Sequence, residues 1–188
     1  MDYLKELTDV LGEVEITEKG DDTAFSYDEG MEHIVNVFLR HRKEKSAVFF
    51  IGNGGSAAIA CHMTADFLKN GRMHTTSLYN ASVLTCLGND YSYEDVFSKQ
   101  LEMQMNKGDL LVAISSSGNS QNIIRAIDMA ENLGGEVITL TGFKEDNAAR
   151  KRGVINVYVP CEEYGIVESI HNLILQQVVD IIMEKDNG

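Results

Sequence analysis

The sequence predicts an α/β protein, with a parallel sheet and helices on both of its faces. Three observations carry that expectation. Five short apolar runs recur between residues 47 and 159, helical patterns separate them, and two of the runs end in loops of glycine and serine. Continuous apolar runs with β-branched and aromatic residues suit strands buried on both faces. Strands that alternate with helices imply right-handed crossovers, which make the sheet parallel.

Taken in order, residues 1–44 read as a helical segment, acidic to mixed in charge. Lys19-Gly20-Asp21-Asp22 marks a break between two helices, since a glycine and two turn-favouring acids stand together. The second helix is expected from about Tyr27 to Lys43. Its apolar residues Met31, Ile34, Val35, Val37 and Phe38 mostly sit three and four apart. This segment is expected to pack on the sheet domain or on a neighbouring subunit. The expected strands are Ala47–Ile51, Thr75–Tyr79, Leu110–Ile114, Val137–Leu140 and Val154–Val159. The expected helices are Ser56–Leu68, Ala81–Leu87, Tyr93–Met105, Gln121–Leu133 and Val167–Met183. Pro160 marks the end of the last strand. No linker, repeat or low-complexity stretch divides the chain, so residues 1–188 read as one domain.

Composition bounds the function. The chain has 188 residues, 44% hydrophobic and 24% charged, with a net charge of −13. A folded chain of this mass exposes about 9,000 Å². The acidic balance argues against nucleic acid, whose phosphates need a basic stripe, and against anionic membrane surfaces. A small anion is still allowed, because backbone dipoles can hold one locally. Cys61, Cys86 and Cys161 are odd in number and lack paired metal spacing, which fits reduced cysteines in the cytoplasm. The first residues do not read as a signal peptide. No run of about 18 apolar residues suggests a membrane span.

The first loop is Gly52-Asn53-Gly54-Gly55-Ser56. Glycines permit positive φ and close backbone approach, and the helix that follows starts with free N–H groups and a positive dipole end. The loop reads either as an anion site or as a tight turn capped by Ser56. The second loop is Ser115-Ser116-Ser117-Gly118-Asn119-Ser120. One hydroxyl is enough for a cap. Four hydroxyls suit a group with several acceptor oxygens, such as a phosphate. Neither loop contains lysine or arginine, and Lys69 or Arg72 beyond the first helix could reach the anion. Gly52 to Ala57 also fits a dinucleotide fingerprint, but the stretch His74 to Asn80 lacks the acid that motif needs. The P-loop lysine is absent as well, so no nucleotide cofactor is expected.

These loops, with Gly88-Asn89-Asp90-Tyr91, resemble the sugar isomerase (SIS) domain, in its phosphoheptose isomerase branch. The likeness runs from about Tyr27 to Met183. It implies a three-layer αβα sandwich with a five-stranded parallel sheet, and a homotetramer with sites at subunit contacts. It implies a sugar phosphate held by Asn53, Gly54, Ser56, Asp90, Ser115, Ser116, Ser117 and Ser120. It also implies conversion of sedoheptulose 7-phosphate to a manno-heptose 7-phosphate. The catalytic positions depart from the branch. The branch has His and then Glu four residues later, where this chain has His62 and Asp66. It has Gln and then His eight residues on, where this chain has Glu168 and Gln176. His171 between them is kept. The branch's Asp-Arg dipeptide is replaced, the region reading Gly165-Ile166-Val167.

Moving a carbonyl between C1 and C2 requires a base to take the α-proton and return it to the neighbouring carbon through an enediol. His62 and Asp66 share one helical face, and Glu168 supplies the reach that the shorter Asp66 loses. The expectation is that Glu168 or Asp66 is the base and His62 a metal ligand or proton carrier. His62, Asp66, Glu168 and Gln176 together would offer ligands for zinc or another divalent ion. Because the branch also has non-enzymatic members, one of them a partner of a DNA-replication initiator, a non-catalytic module binding a phosphosugar or a protein is the alternative.

Overall fold

Alternation along two central strands sorts the core into two layers, one on each face of the sheet. In the computed structural model, which describes residues 2–21 and 23–187, β2 (Ala47–Ile51) and β4 (Leu110–Ser115) are buried throughout. Successive side chains of a strand point to opposite faces. Val48, Phe50, Leu110, Val112 and Ile114 accordingly enter one cluster, while Phe49, Ile51, Leu111 and Ala113 enter the other. Helices α2 (Tyr27–Glu44), α3 (Gly55–Lys69) and α7 (Tyr164–Asn187) cover the first face. Helices α4 (Ala81–Asp90), α5 (Ser98–Gln104) and α6 (Gln121–Asn132) contribute to the second cluster. The result is the expected three-layer α/β sandwich. Its exposed area is 8968 Å², close to the value that mass alone implies.

The remaining strands are β1 (Glu15–Glu18), β3 (His74–Thr76), β5 (Glu136–Gly142) and β6 (Ile155–Val159), and α1 (Tyr3–Leu11) precedes them. The sheet order is β1-β6-β5-β4-β2-β3. From β2 the chain moves to β3 on one side, and from β4 it moves through β5 to β6 on the other. The gap between the carboxyl ends of β2 and β4 is therefore a topological switch point, where open α/β sheets bind ligands. Ile51 lies beside Ala113 in the register, so the two glycine- and serine-rich loops leave the sheet side by side.

Four expectations are corrected. The sheet has six described strands rather than five, because β1 joins as an edge strand antiparallel to β6, pairing Glu15 with Tyr158 and Glu18 with Ile155. Residues 1–44 are therefore not purely helical. Two glutamates bracket a four-residue strand that carries one large apolar side chain, so its local signal is weak. Asp22 of the expected helix break lies outside the described residues. The expected helix Tyr93–Met105 is also interrupted, with a 3₁₀ turn at Tyr93–Asp95 before α5. Expected strand Thr75–Tyr79 shortens to β3, since Leu78 and Tyr79 already turn toward the second layer.

Local chemistry sets the helix ends. Ser26 and Glu29 form a reciprocal capping box on α2, and Lys45 closes that helix in the left-handed conformation. α7 is the one described helix long and apolar enough, by length and composition, to span a bilayer. Here Ile166, Val167, Ile170, Ile174, Val178 and Ile182 lie in the core, which makes α7 a core helix of this fold.

The missed edge strand yields a test. A methyl at Gly30 would come within 2.7 Å of Ile16 Cβ. Alanine is the better helix former by about 1 kcal/mol, yet Gly30→Ala is expected to lower stability in urea denaturation. In an Ile16→Gly background, which removes the Cβ as well as the atoms beyond it, Gly30→Ala should cause no further loss.

Candidate functional site

At the end of β2, Gly52 is clamped by a side chain from across the crevice. Its amide donates to Tyr79 Oη and its carbonyl accepts from the same hydroxyl, both at 2.7 Å. Burial pushes the Tyr79 phenol above its ordinary pKa, so it stays a neutral donor and acceptor. Gly54 follows with φ +55 and forms the N-cap of α3 without any side-chain cap. The tight-turn reading with Ser56 as cap is thereby corrected: Ser56 lies inside the first turn, 3% exposed. Asn53 is fixed by a reciprocal amide pair with Asn122, each Nδ2 donating to the other's Oδ1 at 2.9 Å, and Tyr93 Oη donates to Asn53 at 2.9 Å.

The second loop is built differently. Gly118 has φ +63, and a methyl there would sit 1.9 Å from Asn147 Oδ1. The Gly118 amide donates to Ser115 Oγ at 3.2 Å, and the Asn119 amide to Ser117 Oγ at 3.4 Å. Asn119 Oδ1 accepts from the Ala148 amide, and Asn147 Nδ2 donates to the carbonyls of Gly142 and Lys144. The 143–152 loop thus buttresses the serine loop from behind. Ser120 is the N-cap of α6, yet its hydroxyl makes no capping bond. Ser116 Oγ is buried and has no hydrogen-bond partner. Buried polar atoms are nearly always satisfied, so this hydroxyl points to a missing acceptor or donor.

Asn53, Ser56, Ser115, Ser116, Ser117 and Ser120 line one cavity of about 100 Å³, and Tyr164 and Glu168 of α7 complete it. No lysine or arginine lines it. Two helices begin at its wall without side-chain caps, so uncancelled N–H dipoles converge on a space lined with hydroxyls. That arrangement suits an anion with several acceptor oxygens. Glu168 stands where α7 crosses the start of α3: a methyl at Gly55 would be 2.2 Å from Glu168 Oε2.

α7 is held in this position by His171. That side chain is fully buried, and Nε2 lies 3.0 Å from the Thr141 carbonyl. A carbonyl only accepts, so Nε2 carries the proton and Nδ1 is left bare and unpartnered. Thr141 pairs with Ser115 in the sheet, and the Gly142 amide donates to the Ser116 carbonyl at 3.0 Å. Glu168, one turn before His171, is thus tied to the same backbone that carries the serines.

Other expected site residues lie elsewhere in the protomer. His62 and Asp66 face each other at 3.7 Å, but His62 is exposed, and the pair begins about 10 Å along α3 from Gly55 at 1.5 Å per residue. Asp90 is exposed and meets Asn89 and Cys86, and it does not line the cavity. Gln176 sits about 12 Å along α7 from Glu168 and donates to Asp180. Lys69 and Arg72 line a separate hollow with Met183 and Asp186, roughly 20 Å down α3, so neither reaches the serine cavity. Among the described residues no three His, Cys, Asp or Glu side chains are placed to hold a metal ion. The four expected ligands therefore do not fit a metal centre within one protomer. Tyr79, Asn122, Asn147 and Tyr164 escaped the sequence reading, because lone polar residues outside a motif give no local signal.

A family model for the SIS domain matches residues 2–142. A phosphoheptose isomerase of Clostridium acetobutylicum is 36% identical over 164 residues, covering 83% of this chain and 82% of the relative. The chain belongs to the SIS-domain phosphoheptose isomerase family. A phosphoheptose isomerase of Aliarcobacter butzleri is 34% identical, over 82% of this chain and 84% of its own. The solved phosphoheptose isomerase of Neisseria gonorrhoeae superposes with a TM-score of 0.75 at 32% identity, covering 82% of this chain and 85% of that one. That of Francisella tularensis gives 0.75 at 28%, with the same shares covered.

Two measurements check this account of the site. Tyr79→Phe leaves the Gly52 amide and carbonyl without their partner, and is expected to cost about 1–3 kcal/mol in chemical denaturation. Burial lowers the His171 pKa from 6.5 to about 4. The unfolded chain then binds a proton that the folded chain refuses, so stability falls as pH drops through that window, by up to about 3 kcal/mol. Well above pH 6.5 the group is neutral in both states and adds no pH dependence. In the His171→Gln variant this part of the slope should vanish.

Proposed function

We propose that this chain is an aldose–ketose isomerase that converts sedoheptulose 7-phosphate to D-glycero-D-manno-heptose 7-phosphate. The observation that carries the reading is the single cavity at the strand switch point, where five serines and two uncapped helix starts meet one carboxylate. The name shared by its relatives supports the same reaction.

In this reading the phosphate accepts hydrogen bonds from the serine hydroxyls and from the first amides of α3 and α6. Ser116 supplies the donor that has no other partner. Anchoring one end of the sugar converts proton transfer at the other end into a unimolecular step. Glu168 takes the proton α to the carbonyl. The electron pair forms the C1–C2 enediol double bond as the C2 oxygen takes up a proton. The same carboxyl then gives its proton to C2 while the C1 hydroxyl loses its own, so the carbonyl moves from C2 to C1 with no net change in protons. Tyr164, one turn before Glu168 and on the same cavity, is the donor placed to meet the developing oxyanion. His62 and Asp66 take no part within the protomer.

The proposal extends to assembly and location. A homotetramer would cover the apolar side chains left exposed on the outer helices, among them Met103 of α5 and Leu173 and Met183 of α7. Three unpaired cysteines favour a cytoplasmic protein. Light scattering of the purified chain measures its oligomeric state directly.

The decisive experiment is proton NMR of sedoheptulose 7-phosphate with the protein in deuterium oxide. Conversion with deuterium incorporated at the carbon bearing the transferred proton is expected. Glu168→Gln should lower kcat at least about 100-fold, while Ser116→Ala should raise KM about tenfold with kcat retained. Saturable thermal stabilisation by the sugar phosphate without turnover would instead identify a binding module.

A further inference from the structure

We infer that Glu168 is a built-in competitor for the phosphate, seated on the amino end of α3 and lowering the affinity of its own cavity for phosphate. The inference rests on the reading that a phosphate binds in this cavity. Four features lead to it.

The carboxylate lies directly against the first residue of α3. A methyl at Gly55 would come within 2.2 Å of Oε2 and 2.6 Å of Oε1, so a larger residue there would have to push the carboxylate aside. This helix start has no side-chain cap, because its N-cap is Gly54. A carboxylate at a positive helix end is favourably placed, and it cancels part of the field that an incoming anion would feel. The Glu168 carboxylate makes no ion pair or hydrogen bond among the described residues, the α3 amides included, and no lysine or arginine lines the cavity to neutralise it. Ser116 Oγ, buried on the same cavity and unpartnered, shows independently that a ligand is missing from this space.

A cavity of about 100 Å³ brings a bound phosphate within a few ångströms of the carboxylate. Two like charges that close repel even at a high effective dielectric constant. Phosphate entry therefore moves Glu168 off Gly55, and the released carboxylate is then free to act on the sugar. One residue sets affinity and turnover in opposite directions. Removing its charge should tighten phosphate binding while abolishing proton transfer.

The test is calorimetric titration of the full chain with inorganic phosphate, comparing the wild type with Glu168→Gln and Ser116→Ala. Circular dichroism and thermal melting report whether each variant is folded. Glu168→Gln is expected to bind phosphate about tenfold more tightly than the wild type, with the gap narrowing as salt is raised. In the assay above it should show a lower KM together with the lost kcat. Ser116→Ala is expected to bind more weakly than the wild type. If Glu168→Gln binds phosphate no better than the wild type while Ser116→Ala binds worse, the phosphate site stands and the competitor role is overturned. If neither the wild type nor Glu168→Gln binds phosphate, the phosphate reading fails and the inference falls with it.

Discussion

The site depends on two helix starts facing one another across a strand switch. β2 and β4 are neighbours in the sheet, but their following helices pass to opposite faces. Their loops must therefore part at the carboxyl edge, and the opening between them is lined by backbone amides that no side chain caps. In an acidic chain with no cation at this opening, dipoles and hydroxyls are what remain to hold an anion. Neutral donors fixed by the fold can do so without ordering a flexible charged side chain.

Most other interactions around the site keep those loops in shape. Tyr79 holds Gly52 from one side, the Asn53–Asn122 pair bridges the two loops, and Asn147 presses on Gly118 from behind. Each joins residues far apart in the chain. A serine in such a frame is already positioned for its ligand, which is how a neutral site gains specificity.

The legibility of the sequence follows the range of the interactions concerned. The buried strands and the two loops were legible because their signals are local: an apolar run, then glycines and hydroxyls at a helix start. β1 was not, since a four-residue edge strand between glutamates exists through its pairing with β6 and the packing of Ile16 under Gly30. The same division runs through the site. Five serines and Asn53 converge as the loop pattern suggests, and Glu168 joins them through the crossing of α7 over α3. Asp90, His62, Asp66 and Gln176 stand at motif positions, and within one protomer their side chains face other neighbours. Lys69 and Arg72 follow the first loop closely in sequence, but a straight helix carries them to the far end of the molecule.

The anchorage of α7 makes that helix a lever. His171 is its fulcrum, bonded to the edge of β5. Glu168 is on the short arm, and the long arm runs to Asp186, which is strapped to Arg42 of α2 by two hydrogen bonds of 2.8 Å. Because the short arm is a single turn, a small tilt of the long arm changes the height of the carboxylate above Gly55 only slightly, while any slide along the helix axis transfers to it in full. The same pin resists such a slide, so a substitution at the outer end of α7 reaches the carboxylate only by straining the His171–Thr141 bond.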